Sequence, residues 1–206
     1  MGPEGLKMSL GYSFEEVYRP AEDTYLLLKA ALHEALPRDT VIEIGCGSAL
    51  ITRELAPNVK SILATDINPH AVKAAKEAGV NAIRADLFRG IKGRFDLVIF
   101  NPPYLPTQED ERTGGWIDSA LDGGASGRET INSFLEQLGQ HLTCPGRALL
   151  LVSSLTGLDE VKEKAIKEGL ETREVASEGC FFERLHVLRI MQRRRGEGSY
   201  ASSQDD

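Results

Sequence analysis

The 206-residue sequence has no long apolar segment. A membrane-spanning helix needs about 20 consecutive apolar residues, and the runs of Val, Ile and Leu are all much shorter. The first ten residues also lack the basic end and following apolar stretch of a signal peptide. Together with the length, which suits one globular core, these absences predict a single soluble domain that stays in the cytoplasm.

Cysteine, histidine and excess positive charge are also scarce. The three cysteines, Cys46, Cys144 and Cys180, are odd in number and widely spaced, which fits neither a disulfide framework nor a zinc site. The four histidines have no spacing that would place two on one helix face, so we assign no metal. The formal net charge of −7 disfavours broad binding to nucleic acid, because such binding depends on Lys and Arg.

The apolar residues that are present form short runs separated by helix-like stretches. Strand-like runs lie at residues 41–44, 61–64, 81–85, 97–100, 148–152, 171–176 and 186–190, and helix-like patterns at 21–36, 69–78, 129–142 and 158–168. Several strand-like runs are continuously apolar, which is typical of a sheet covered on both faces. The alternation predicts an α/β fold with a mostly parallel sheet. We expect residues 1–17 to form an N-terminal arm, 18–191 the folded domain and 192–206 a disordered polar tail.

A series of polar residues follows the predicted strands. The first strand runs into a turn containing Gly45 and Gly47, where the backbone can approach a ligand closely. Later strands end at Asp66, Asp86 and Asn101, and the carboxyl ends of parallel strands meet at one edge of the sheet. Asp66 lies about twenty residues past the turn, where a carboxylate accepts the ribose hydroxyls of a nucleotide. We expect Asp86 to receive the adenine amine.

Glu43 lies beside the glycine turn and bears on the choice of cofactor. A carboxylate there is poorly suited to a pyrophosphate but well suited to a ligand that carries ammonium and sulfonium charges. This favours S-adenosylmethionine over a nicotinamide dinucleotide. The alternative is that the glycines form an ordinary strand-to-helix turn and the aspartates only cap helices.

The fourth predicted strand is followed by Asn101, Pro102, Pro103 and Tyr104. A planar nitrogen attacks a methyl sulfonium slowly unless its N–H bonds are held and its lone pair is aimed at the methyl group. The Asn101 side-chain oxygen can accept one N–H and the Pro102 carbonyl the other, while Tyr104 stacks on the planar group. The motif predicts methyl transfer to an amide or similar amine, although a simple turn is the alternative. Trp116 is expected in a polar, substrate-contacting loop beyond it.

Four segments together carry a family resemblance: residues 18–24 (YRPAEDT), 43–47 (EIGCG), 65–69 (TDINP) and 101–104 (NPPY). The chain resembles the HemK family of protein glutamine methyltransferases, in particular its short archaeal and eukaryotic branch. The resemblance implies a seven-stranded class I methyltransferase domain. It also implies S-adenosylmethionine as cofactor and, as substrate, the glutamine of the Gly-Gly-Gln motif in a class I translation termination factor. By the same match, the cofactor pocket contains Thr24, Glu43, Gly45, Asp66, Asp86, Leu87 and Asn101.

The resemblance further implies a partner. Relatives of the short branch pair along their third strand with a small zinc-binding subunit, and residues 81–85, with Ile83 facing outward, are the expected edge. The acceptor motif alone leaves two other substrates open. An exocyclic amine of a nucleic-acid base is also planar, and a protein lysine is possible although its tetrahedral amine fits a planar site less well. Net acidity favours a protein.

Overall fold

The computed structural model describes residues 16–107 and 115–193. Residues 1–15 of the predicted arm and 194–206 of the predicted tail lie outside the described residues. The elements, in chain order, are α1 (Glu22–Glu34), β1 (Thr40–Ile44), α2 (Leu50–Leu55), β2 (Ser61–Asp66), α3 (Pro69–Glu77), β3 (Ala82–Arg84), β4 (Phe95–Phe100), α4 (Trp116–Leu121), α5 (Glu129–His141), β5 (Leu142–Ser153), α6 (Leu158–Lys167), β6 (Leu170–Gly179) and β7 (Arg184–Gln192). No helix in these two stretches is long and apolar enough to cross a membrane.

The seven strands form one sheet in the order β3-β2-β1-β4-β5-β7-β6. The first five strands are parallel, and β7 runs antiparallel to both β5 and β6. This confirms the predicted α/β fold with a mostly parallel sheet. Because β1, β2, β3, β4 and β5 point the same way, their carboxyl ends share one edge, which we call the carboxyl edge; the opposite side is the amino edge.

Helices cover both faces of the sheet, as the continuously apolar strands predict. Alternate residues of a strand point to opposite faces. Ile42 and Val98 pack in one core cluster with α5 and α6, whereas Val41 and Leu97 pack in another with α1 and α2. The central strands are therefore apolar at nearly every position because both of their faces are buried.

Many element boundaries differ from the sequence-based expectations by about one to three residues, and the start of β5 differs by six. The predicted helix over residues 21–36 ends at Glu34, and β5 begins at Leu142 rather than at residue 148. The pairing of β4 with β5 passes from Leu142 to Arg147, so a bulge containing a proline and a glycine interrupts the ladder and hides the start of the strand. The prediction that Trp116 lies in a loop is wrong, because Trp116 is the first residue of α4.

A buried ionic cluster closes the amino edge. The guanidinium of Arg147 donates to Asp39 Oδ2 at 2.7 Å, to the carbonyl of Asp96 at 3.0 Å and to the carbonyl of Glu34. Asp96 in turn accepts hydrogen bonds from the backbone and hydroxyl of Thr40 and from the hydroxyl of Thr143. Each charged group in this cluster therefore has a partner of opposite charge or several hydrogen bonds.

Candidate active site

A cavity opens at the carboxyl edge of the sheet, between the ends of β1, β2 and β4 and the start of α1. Its wall contains all of the residues that the sequence singles out for the cofactor and the acceptor: Thr24, Glu43, Gly45, Gly47, Asp66, Asp86, Leu87, Asn101, Pro102, Pro103 and Tyr104. These residues come from parts of the chain about 80 positions apart and meet because parallel strands end together.

The glycine turn after β1 is held in place by backbone hydrogen bonds. Gly45 and Gly47 have φ values of 64° and 50°, in the left-handed region that favours glycine. A Cβ atom on Gly45 would lie 3.4 Å from the Phe100 ring, an ordinary contact distance, so the strain of a side chain there would come from the backbone conformation. The backbone N–H of Gly47 donates to Asp66 Oδ2 at 2.8 Å, which ties the turn to the end of β2.

Asp66 is buried at the end of β2. Its second oxygen, Oδ1, accepts the backbone N–H of Asn68 at 2.8 Å. Burial raises the pKa of this carboxyl, and the hydrogen bonds from Asn68 and Gly47 oppose that rise. The side chain that caps α3 is Asn68, which accepts the N–H of His70. Asp66 therefore faces the cavity wall and does not act as a helix cap.

Glu43 is buried in β1 and lies beside the glycine turn. Its Oε2 accepts the backbone N–H of Thr52 at 2.9 Å and also the Thr52 hydroxyl. Burial raises the pKa of Glu43 to about 8 despite these two bonds, and the nearby charge of Asp66 adds to the rise. Burial therefore disfavours the ionised form of this carboxyl, and a cation in the cavity would favour it.

Asn101 presents an unused hydrogen-bond acceptor. Its Nδ2 donates to Asp23 Oδ2 at 3.1 Å, whereas its Oδ1 is buried and has no hydrogen-bond partner among the described residues. Leaving a buried acceptor unpaired costs about 1–3 kcal/mol, so native structures rarely keep one without a reason. An N–H group of a ligand in the cavity would satisfy this oxygen.

Asp23, in the first turn of α1, organises this side of the cavity. It is buried, and it accepts hydrogen bonds from the Tyr18 hydroxyl at 2.9 Å, from the backbone and hydroxyl of Thr24, and from Asn101. Because the Nδ2 of Asn101 is held by Asp23, its amide oxygen is left for another partner. Asp23 lies in the segment YRPAEDT that carries the family resemblance, but no sequence pattern indicates its contact with Asn101.

Helix α4 contributes to the wall of the cavity. Trp116 lines the cavity, and its backbone N–H donates to Glu16 Oε2 at 2.9 Å. The guanidinium of Arg84 lies over the Trp116 ring, 5.5 Å from its centroid. Arg84 is the last residue of β3, the outermost strand on one side of the sheet, so this contact connects β3 to the cavity wall.

Proteins of similar sequence and structure are methyltransferases. The family model described as "Methyltransferase small domain" matches residues 21–116. A protein of Methanocaldococcus jannaschii with the name "Putative protein N5-glutamine methyltransferase" is 40% identical over 192 residues, covering 90% of this chain and 95% of the relative. Human methyltransferase HEMK2 is 31% identical, covering 86% of this chain and 91% of the relative.

A solved structure points the same way. Mtq2 of E. cuniculi, in a complex with Trm112 that methylates the eRF1 translation termination factor, superposes with a TM-score of 0.73 and 29% identity. The match covers 86% of this chain and 99% of that protein. The resemblance stated from the sequence motifs is thereby confirmed over nearly the full length of these relatives. The chain therefore belongs to the HemK family of S-adenosylmethionine-dependent protein N5-glutamine methyltransferases.

Proposed function

We propose that this chain methylates N5 of the glutamine in the Gly-Gly-Gln motif of a class I translation termination factor, in the cytoplasm, with residues 18–191 as the methyltransferase domain. The observation that carries the proposal is the buried, unpaired Oδ1 of Asn101 at the cavity wall. A primary amide nitrogen brings the N–H group that this oxygen lacks. The names of the similar proteins, which include an eRF1 methyltransferase catalytic subunit of fission yeast, support the same substrate.

S-adenosylmethionine, when bound, supplies an electrophilic methyl group on a sulfonium. In our proposal Asp66 binds the ribose hydroxyls, because its buried carboxylate still has free lone pairs beyond the bonds from Gly47 and Asn68. Asp86, which is exposed at the rim, binds the adenine amine. The turn containing Gly45 allows close approach of the backbone to the ligand, and Thr24 and Leu87 complete the wall.

Glu43 provides the electrostatic fit to this cofactor. Its carboxyl is desolvated and has a raised pKa, which is unfavourable for the ionised form until a positive charge is nearby. The ammonium and sulfonium groups of the cofactor supply that charge. A dinucleotide bearing a pyrophosphate brings no positive charge to stabilise the carboxylate, so the site offers it no matching electrostatic partner.

The acceptor nitrogen is positioned by two oxygens and a ring. In the proposed complex Asn101 Oδ1 accepts one N–H of the glutamine amide and the Pro102 carbonyl accepts the other, while Pro103 fixes the backbone and Tyr104 stacks on the amide plane. Asp23 acts through Asn101 as a positioning residue, because it holds Nδ2 and so keeps Oδ1 available. The nitrogen becomes acidic as it gains the methyl group, so its proton can leave without a strong base.

We also propose that a small zinc-binding partner subunit pairs along β3. Mtq2 of E. cuniculi is found with Trm112, and β3 is one of the two edge strands of the sheet, with Ile83 38% exposed. Unpaired backbone groups at such an edge accept an added strand. The contact between Arg84 and Trp116 would connect this pairing to the cofactor pocket, and a partner that favours the bound form raises cofactor affinity.

The proposal is tested by incubating the chain, alone and with the partner subunit, with methyl-labelled cofactor and either the termination factor or tRNA. We expect label on the Gly-Gly-Gln glutamine, identified by mass spectrometry of peptides, and a gain when the subunit is added. A termination factor whose glutamine is replaced by alanine is the control and should remain unlabelled. Label on tRNA, or on a lysine of the factor, would contradict the proposal.

A further inference from the structure

Two adjacent aromatic residues stand in solvent at the tip of the hairpin between β6 and β7. Phe181 and Phe182 are 94% and 88% exposed, and their rings contact each other edge to face with centroids 5.0 Å apart. The backbone N–H of Cys180 donates to the carbonyl of Glu183 at 2.8 Å, which closes the turn beneath them. Two large apolar side chains at this exposure contribute almost nothing to the core. Such an exposed apolar pair indicates a binding surface.

The hairpin tip projects from the carboxyl edge, next to the acceptor motif. Ser153, the last residue of β5, pairs with Leu185 of β7, so β6 and β7 turn at the edge where the cavity opens. Tyr104 and Cys180 both pack against the core cluster beneath α1. The backbone N–H of Arg184 donates to Ser154 Oγ at 3.0 Å, which joins the start of β7 to the end of β5.

The surroundings of the tip are acidic. Glu22, Asp23, Glu178 and Glu183 are near enough to Cys180 to raise the pKa of its thiol, in addition to the effect of burial. Arg184 is the cation of the turn itself. Exposed aromatic rings can stack on unpaired nucleic-acid bases, but this concentration of carboxylates repels phosphates. The chemistry favours a protein surface that is apolar and carries Lys or Arg around its edge.

We propose that Phe181 and Phe182 form a docking surface for the protein that carries the target glutamine, and that this protein meets them with apolar side chains flanked by basic ones. The inference rests on the proposed function, since it assumes that the substrate is a folded protein. It assigns to the hairpin tip the task of holding that protein while its glutamine enters the cavity between Asn101 and Tyr104.

The test replaces both residues, Phe181→Ser and Phe182→Ser, in the full chain with its partner subunit. KM for the intact termination factor should rise at least about tenfold, as expected for loss of an aromatic anchor. The value of kcat at saturating factor and the Kd of the cofactor should stay within about twofold, because neither residue lines the cavity. Phe181→Leu with Phe182→Leu should recover most of the loss, since apolar area is retained.

Ile166→Ser is the matched control. Ile166 is 52% exposed near the end of α6, just before β6 begins at the amino edge, and its replacement should leave KM unchanged. An unchanged KM in the double Phe variant, or an equal rise in the Ile166 variant, would overturn the inference. The inference would also be overturned if the unaltered enzyme methylated tRNA and the double Phe variant did not. If the unaltered enzyme fails to methylate the factor at all, the proposed function itself has failed, and the docking surface fails with it.

Discussion

Charged groups are buried at both the amino edge and the carboxyl edge of this sheet, but their interaction partners differ between the two edges. At the amino edge Arg147 faces Asp39, and Asp96 receives three hydrogen bonds. Burial alone would raise the pKa of Asp96, yet hydrogen bonds from Thr40 and Thr143 and the charge of Arg147 hold it below its ordinary value. Arg189 Nε is buried near this edge without a hydrogen bond, but it lies 3.5 Å from Glu34 Oε2, so the charges here are paired within the protein.

At the carboxyl edge, buried polar groups lack a counterion or a hydrogen-bond partner. Burial raises the pKa values of Glu43 and Asp66, and Asn101 Oδ1 has no partner among the described residues. Each of these features is unfavourable for the empty protein and becomes favourable once a cation or an N–H group is bound. The charges of the amino edge are therefore paired within the protein, whereas the carboxyl edge keeps a buried acceptor, Asn101 Oδ1, that a ligand can satisfy.

The largest expected effect is on stability, at the amino edge. Arg147→Met should lower the free energy of unfolding by about 3–5 kcal/mol, because it leaves buried Asp39 without its counterion. Denaturant unfolding measures this. The Kd of the cofactor for the folded protein should not change. Lys164→Met, which breaks the exposed ion pairs to Glu136 and Glu168, is the control and should cost less than about 1 kcal/mol. A loss of cofactor binding without a loss of stability in Arg147→Met would show that Arg147 supports the cofactor site and not the fold.

At the carboxyl edge, Asp66→Asn should weaken cofactor binding by about ten- to a hundredfold, because a charged acceptor is lost in a confined site. Calorimetric titration gives the Kd. Asp96→Asn is the matched control, since it removes a carboxylate of the other edge and should reduce stability alone. Equal Kd values for the two variants would place the cofactor elsewhere.

A smaller effect is expected at Asp23. Asp23→Asn should reduce kcat about tenfold while the Kd of the cofactor changes little, because the fault lies in the orientation of Asn101. Glu22→Gln, at the exposed neighbouring position, should retain full kcat. Steady-state kinetics with the termination factor separate the two. A change in cofactor affinity with normal kcat would show that Asp23 supports the cofactor side instead.

The smallest effect concerns pH. The folded-state pKa of Glu43, about 8, lies above its ordinary value of 4.5. Its contribution to stability is therefore complete below about 4.5 and is lost as pH rises towards 8. Cofactor affinity should move the other way and increase up to about pH 8, since the cation prefers the carboxylate. Titrations from pH 6 to 9 should show this slope, and Glu43→Gln should abolish it. If the pH dependence of cofactor affinity persisted in Glu43→Gln, the titrating group would be another residue.

The sequence predicts the central strands and the cavity wall well because their signals are local. Continuous apolar runs indicate strands buried on both faces, and motifs at successive strand ends meet whenever the strands are parallel. The short helices α2 and α4 were missed, since six residues provide less than two turns of periodicity.

Other features depend on contacts that no local pattern encodes. Asp23 and Asn101 are 78 positions apart, and their hydrogen bond follows from the docking of α1 at the end of β4. Phe181 and Phe182 follow a strand, where an apolar pair is typical of a core; only the projecting turn exposes them. The unpaired state of Asn101 Oδ1 is likewise a property of the folded neighbourhood and not of its motif.

The most direct test of the account is Asn101→Ala, with methyl transfer to the termination factor and the Kd of the cofactor measured on the same preparation. If the unpaired amide oxygen holds the acceptor nitrogen, the rate should fall at least about a hundredfold while the Kd changes by only a few-fold. Full turnover with intact cofactor binding would contradict the assignment of Asn101 as the group that positions the glutamine.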